Sequence, residues 1–405
     1  MPHLRQRFIL ESLKRIVALS PLIGVLGHRQ VGKTTLLENF SKHYLSMDDE
    51  DIMMEAKTSA KIFLEKYKQP LTVLDECQLI PSLFPALKET VRKNKRPGQY
   101  ILTGSVRITS RKAIRESLTG RISNLELLPF TLGELHHLPL NDIFFRLDQF
   151  SNLENWVSRI ESQVHEQHKR LQKELSQYLQ HGGLPGVCFI RDTVTRERKI
   201  LDQLSTILDR DIRLIYPTTV PYTQIFDFVC ELAKNEGNPL KYSQLEKSTK
   251  LSESTQKKLL HSLESIFLLR LIPIEGDRRG FCYFFEDQAE SRFLSQGKTS
   301  ELTQIEGFVY RHLRTQWAYR LEQNPRYFHY KTRAGVRIPL CLSLPSCHLA
   351  FLFIQEDQPN RQDMAAANSF FRSYNNSRAI FLSTTCKHIQ ILNDRSAILP
   401  ISSVF

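Results

Sequence analysis

The chain contains no apolar run approaching the ~20 residues that a membrane-spanning helix needs. Its opening, MPHLRQRFILESLKR, holds no apolar core long enough for a secretory signal. Seven cysteines stand at 77, 188, 230, 282, 341, 347 and 386, with no C-x-x-C pair among them. That spacing predicts idle thiols in a reducing compartment, not a disulfide framework or a structural zinc site. Thirteen histidines are scattered in the same way. Internal repeats and low-complexity tracts are also missing, which removes solenoids and long disordered tails from consideration. These absences together predict a cytoplasmic globular protein with no membrane partner.

A dense basic tail is missing too, although the formal charge is +12. Residues 1–135 carry 21 Lys and Arg against 14 Asp and Glu, 136–275 carry 18 against 18, and 276–405 carry 16 against 11. The excess is dispersed, so composition admits an acidic partner without pointing to one. At 405 residues and 41% hydrophobic content, the chain is expected to form two to four domains.

Strands and helices alternate in the first 135 residues. The runs at 21–27, 43–49, 71–76, 99–105 and 122–130 read as strands. Amphipathic stretches at 34–43, 59–68, 82–94 and 110–120 read as helices between them. This pattern predicts an α/β fold with a mostly parallel sheet covered on both faces. Residues 150–180 read as a long charged helix, broken by HGGLPG at 181–186. The segment 239–275 reads helix, turn, helix, strand, the outline of a winged helix, with Ser243 and Ser252 as expected N-caps. Beyond 280 the chain is richer in strand, with helices near 303–317 and 361–375. The expected division is therefore 1–135, 136–235 as a helical lid or linker, 236–278 as the winged helix, and 279–405.

One short stretch carries chemistry. GHRQVGKTT at 27–35 fits G-x-x-x-x-G-K-[ST], with an apolar run before it and a helical pattern after it. Gly27 and Gly32 allow close backbone approach. The N–H groups of His28, Arg29, Gln30, Val31 and Thr35 are then free to face phosphates at the positive end of a helix. Lys33 suits the β- and γ-phosphates, and the Thr34 hydroxyl suits Mg²⁺. About forty residues on, LTVLDEC ends a buried strand in two acids. Acids there cost free energy unless a cation or hydrogen bonds compensate. Asp75 is expected to hold Mg²⁺ through water, and Glu76 to orient and deprotonate the attacking water. Thr103 and Ser105, at the tip of YILTGS, are candidates for contact with the γ-phosphate or that water. Arg121 is expected to complete the charge of the site in trans within a homo-oligomer, with Arg115 as runner-up. ATP and Mg²⁺ are the expected ligands.

With these residues quoted, the N-terminal part resembles a prokaryotic family of AAA+-type P-loop ATPases followed by a C-terminal domain of unknown function. The phrases that carry it are GHRQVGKTTLL, YLSMDDED, VLDECQLIPSLFPALKETV, PGQYILTGS, ESLTGRISNLELLPFTLGEL and YLQHGGLPGV, covering most of residues 1–215. The family usually has proline where His28 stands, a variable position of the loop. The resemblance implies an AAA+ core with a helical lid, a winged helix, and an α+β domain related to restriction endonucleases. In that last domain Arg337 and Pro339 stand where the family has acids, FLFIQED lacks the expected lysine, and Glu306 alone fits. A metal nuclease needs several converging carboxylates, so a degenerate, inactive domain is expected.

The expectation is thus an ATPase whose cycle moves its C-terminal modules, with duplex DNA as a candidate partner. Lys257, Lys258 and His261, with Lys247 and Lys250 nearby, would meet phosphates if the winged helix binds DNA. A nucleotide-gated switch or scaffold with little turnover is the alternative, and an active nuclease the weakest reading. Arg191, Arg196 and Arg210 are all open as lid residues that sense nucleotide.

Overall fold

The computed structural model describes residues 4–107, 120–145, 147, 150, 152–276, 280–321 and 324–405. The runner-up Arg115 and most of the helix expected at 110–120 lie outside the described residues. The chain divides into two compact units. One comprises Met1–Phe130, Leu184–Asp227 and Lys250–Leu268; the other comprises Thr131–Gly183, Phe228–Thr249 and Leu269–Phe405.

The first unit is built on a five-stranded sheet. Its strands are β1 (Leu22–Leu26), β2 (Tyr44–Ser46), β3 (Thr72–Asp75), β4 (Tyr100–Gly104) and β5 (Ile122–Glu126). They lie in the order β2-β3-β4-β1-β5, and every pairing is parallel. Parallel strands need crossovers, and the alternating helices supply them. On one face Leu22, Leu26, Leu74, Tyr100 and Leu102 pack against Phe63, Leu64, Phe84, Leu87 and Val91. β1, β3 and β4 are buried throughout, as their unbroken apolar runs require.

Two expected elements differ. The second strand stops at Ser46, because the acids after it begin a helix, Glu50–Thr58. Asp49 caps that helix, accepting from the backbone N–H of Asp51 and Ile52. The helix read at 59–68 is a separate one, Ala60–Lys66, capped by Ser59. The fifth strand ends at Glu126, short of the expected 130. This unit also holds the helix Thr193–Thr206, a π-helical turn Ile207–Asp211, and the helices Ile212–Ile215 and Glu253–Ser265.

The second unit contains a hairpin, β6 (Leu269–Pro273) with β7 (Phe281–Phe285). It also contains a mixed six-stranded sheet of β8 (Arg326–Lys331), β9 (Arg337–Ser343), β10 (His348–Ile354), β11 (Ser377–Ser383), β12 (Gln390–Asn393) and β13 (Ser396–Pro400). The order is β12-β13-β11-β10-β9-β8. Alternate residues feed opposite faces. Leu349, Phe351, Ile380 and Leu382 pack on Phe308, Leu313 and Trp317 of the helix Glu301–Ala318. Ala350, Leu352, Ala379 and Phe381 pack on Ala366, Ala367 and Phe370 of the helix Arg361–Ser373. Both faces are covered, which explains the unbroken apolar runs of β10 and β11.

The expected winged-helix segment has its helices at Tyr242–Thr249 and Glu253–Ser265, followed by the β6–β7 hairpin. The hairpin runs past the expected end at 278. Ser252 caps its helix by accepting from the Thr255 N–H. Ser243 lies inside its helix, so the N-cap expected there is corrected: the helix begins one residue earlier, at Tyr242.

Candidate functional site

The site lies at the carboxyl ends of β1, β3 and β4. Open α/β sheets place ligands at such an edge, where the strand order reverses. β1 runs directly into the loop 27–32, and the helix Lys33–Phe40 follows. Gly32 precedes that helix with φ +96°, a conformation that favours glycine. Gly27 is fixed by a different constraint: a Cβ there would run into the backbone carbonyl of Leu127.

Side chains hold carbonyls of the loop and of the segment beside it. Arg7 donates to the carbonyl of Val31 at 2.9 Å and to that of Leu128. The His28 ring Nδ1 meets the Arg29 carbonyl at 2.7 Å, and Gln203 Nε2 donates to the same carbonyl at 3.4 Å. Gln30 adopts φ +58°, and its side-chain Oε1 stands where a Cβ on Gly186 would lie, so a larger residue there would displace it. Arg29 reaches Asp211 Oδ2 at 3.2 Å, pairing the loop with the π-helical turn. Burial raises the pKa of Asp211, and Arg29 opposes that rise. Arg7, Gln203 and Asp211 were not singled out in the sequence; no local motif marks them.

Lys33 is buried, and its ammonium donates to the carbonyls of Gly27 at 3.0 Å and His28 at 2.9 Å. Burial lowers its pKa to about 8, against the pull of Glu76 and Asp75. Thr34 is exposed, with Oγ1 3.5 Å from Asp75 Oδ2, and Thr35 follows it half-buried. Asp75 Oδ1 accepts from the Glu76 N–H at 2.9 Å, and Oδ2 also accepts from the Tyr44 hydroxyl. Glu76 itself turns the chain, at φ +51°, and burial raises its pKa. Its Oε2 accepts from Gln78 Nε2. Thr103 and Ser105 are buried at the tip of β4. Thr103 Oγ1 meets no hydrogen-bond partner among the described residues.

Arg121 stands elsewhere. It precedes β5, whose first residue Ile122 pairs with Leu22 at the start of β1. Five residues of strand, roughly 16 Å, separate that end from the loop. Within one chain Arg121 therefore does not reach the site. Among the lid arginines, Arg196 donates to the carbonyls of Ile190 and Arg191 and to Thr193. Arg210 pairs with Asp48 at 3.7 Å, beyond the end of β2, and Arg191 is exposed.

The donor set fits both expected ligands. Mg²⁺ takes hard oxygens, commonly one or two protein ligands beside phosphate and water. The adjacent Thr34 hydroxyl and Asp75 carboxylate supply such a pair. A buried ammonium beside glycine-opened amides supplies the counter-charge for a polyphosphate.

Comparison with known proteins bears on this geometry. Residues 19–136 match the family described as an AAA domain. The N-terminal region is an AAA-type P-loop domain. Residues 172–278 match a domain of unknown function, DUF8612. Uncharacterized proteins of Mycobacterium bovis and Mycobacterium tuberculosis are each 30% identical to the chain over 125 residues, 30% of this chain. The match spans 28% of those relatives' length. Among solved structures, AMPPCP-bound DnaA from Aquifex aeolicus matches 63% of this chain and 85% of its own at 16% identity and a TM-score of 0.25. A signal-transduction ATPase with a tetratricopeptide-repeat sensor from Pyrococcus horikoshii matches 77% of this chain and 46% of its own at 12% identity and a TM-score of 0.26. Likenesses this loose carry nothing about function. Among the described residues, no helix is long and apolar enough to cross a membrane.

Beside Glu306 the second unit places a cation, Arg337, while the acid Glu236 adds to the upward push on its pKa. Arg337 lies 3.5 Å from Glu306 Oε2 and donates to the Gly237 carbonyl at 2.8 Å. Burial raises the Glu306 pKa to about 7, with Arg337 opposing.

Proposed function

We propose that the AAA domain binds ATP with Mg²⁺ and hydrolyses it. The observation that carries this reading is the convergence of Lys33, Thr34, Asp75 and Glu76 at one edge of the sheet. The loop amides of residues 27–35 and the Lys33 ammonium bind the phosphates. Thr34 and Asp75 would hold Mg²⁺, which when bound neutralises phosphate charge. Glu76 takes a proton from water as the water oxygen bonds to the γ-phosphorus. The bond to the β-phosphate oxygen breaks, and its electron pair leaves with ADP. Thr103 and Ser105 orient the water or the γ-phosphate. Arg121 acts in trans, in a homo-oligomer.

Phosphate release by the purified chain tests this reading. Lys33→Ala is expected to abolish both binding and turnover. Glu76→Gln is expected to bind ATP and turn over at least 10²-fold slower. Turnover of Lys33→Ala at the parent rate would sink the proposal.

The reading extends to the modules beyond the AAA domain, taken as lid 136–235, winged helix 236–278 and a degenerate nuclease-like domain 279–405. Duplex DNA is the proposed partner of the helix Glu253–Ser265, where His261 is exposed. On that helix Lys257 pairs with Glu253, and Lys258 lies 5.4 Å over the Tyr216 ring. Stimulation of phosphate release by duplex DNA would support this part. The Glu306–Arg337 pair favours a contact role for the nuclease-like domain, because the guanidinium supplies the charge a metal would. The Arg29–Asp211 pair favours a second reading, a nucleotide-gated switch. In it, loop occupancy shifts the lid and hydrolysis is rare. Slow single turnover with ATP-dependent assembly would select that reading.

A further inference from the structure

Gln78 was not part of the expected site, yet its placement is constrained from two sides. Glu76, at φ +51° and ψ +33°, ends β3 and sends the chain into the 3₁₀ turn Cys77–Leu79. That turn brings the Gln78 side chain back toward the acid that precedes it. Gln78 is almost wholly buried, and its Nε2 donates to Glu76 Oε2.

The second constraint comes from the neighbouring strand. Gly104 ends β4, between Thr103 and Ser105. A Cβ on Gly104 would run into the Gln78 carboxamide, whose Oε1, Cδ and Nε2 are its three nearest atoms. The carboxamide therefore fills the seam between the ends of β3 and β4, strands that pair directly. A glycine at 104 follows from this packing, since φ there is not positive.

We propose that Gln78 is the positioning residue of Glu76. Its carboxamide, wedged against Gly104, fixes one carboxylate oxygen so that the other faces the attacking water. This inference rests on the reading of the site as an ATPase and names what orients its base. Gln78 touches neither phosphate nor water in this account. Its loss should act on turnover and leave the groups that bind ATP untouched.

The test uses the full chain with ATP and Mg²⁺, reading ATP affinity by calorimetry and phosphate release separately. Gln78→Met keeps the shape and removes the donor. It is expected to lower kcat about tenfold or more while ATP affinity stays within about threefold, because a misplaced base loses rate without losing binding. Gly104→Ala displaces the carboxamide from the other side and should give the same split, so the idea does not depend on one variant folding. In a Glu76→Gln background, Gln78→Met should cost nothing further, since two residues acting as a unit are not additive. A merely structural role would lower both backgrounds by the same factor. An active parent matched or exceeded by Gln78→Met overturns the proposal alone. So does a loss confined to affinity, or a full loss repeated in the Glu76→Gln background. A parent no faster than Lys33→Ala overturns the ATPase reading, and the positioning role with it.

Discussion

Single residues in the cradle answer to backbone neighbours as much as to a ligand. Gly27 has no room for a Cβ, because the Leu127 carbonyl stands there. Gly27→Ala is expected to cost about 1–3 kcal/mol through overpacking. It should also weaken ATP binding, since the Gly27 carbonyl positions Lys33. Urea unfolding and calorimetry would check both, and a variant as stable as the parent would contradict the packing argument. Glu306 supplies a pH dependence in the second unit. Its pKa is raised to about 7 by burial, so folding favours its protonated form. Between the unfolded value near 4.5 and about 7 the folded state binds more protons, and this contribution to stability falls as pH rises. Glu306→Gln cannot ionise. Its stability relative to the parent should therefore improve from pH 5 to pH 8, by about 2–3 kcal/mol at one unit per 1.36 kcal/mol. A flat difference across that range would show that the Arg337 pair compensates the buried charge fully.

Elements are joined to the site by their ends. β4 leaves its buried tip through Arg107, whose backbone N–H donates to the Ser265 carbonyl at 2.8 Å. The Arg107 side chain donates to Glu264 at 3.2 Å and lies over the Phe267 ring. Both carbonyls belong to the last turn of the helix Glu253–Ser265, where orphan acceptors and the negative helix end favour a cation. Arg107→Ala is expected to destabilise by about 1–2 kcal/mol. It should also raise hydrogen exchange in the helix's last turn. Unaltered exchange there would mean the helix end is held by other groups.

Across the whole molecule, the question is whether one chain makes a complete site. Arg121 immediately precedes β5, at the end of the strands opposite the cradle, so its proposed role needs a second copy. Turnover per chain should then rise with protein concentration. Arg121→Ala should lose about 10³-fold or more. Mixing it with Lys33→Ala, which keeps Arg121, should restore part of the activity. Concentration-independent turnover with an unaffected Arg121→Ala variant would remove this residue from the mechanism. The two compact units also each draw on separated stretches of chain. Neither unit is therefore a segment that could simply be cut out of the sequence.

The sequence by itself determined what periodicity and punctuation encode. The five strands, the glycine-rich loop and the acids at the end of LTVLDEC were legible because apolar runs, glycine spacing and strand-end carboxylates are local patterns. The helix Glu50–Thr58 was missed because Asp48 and Asp49 were read as the end of a strand, when Asp49 is its cap. Tertiary structure alone decided what comes from far along the chain. Arg7 and Gln203 hold the loop's carbonyls, Asp211 meets Arg29, Tyr44 meets Asp75, and Gly104 makes room for Gln78. No spacing rule foretells such contacts, because a hydrogen bond depends on where two atoms end up and not on how many residues separate them.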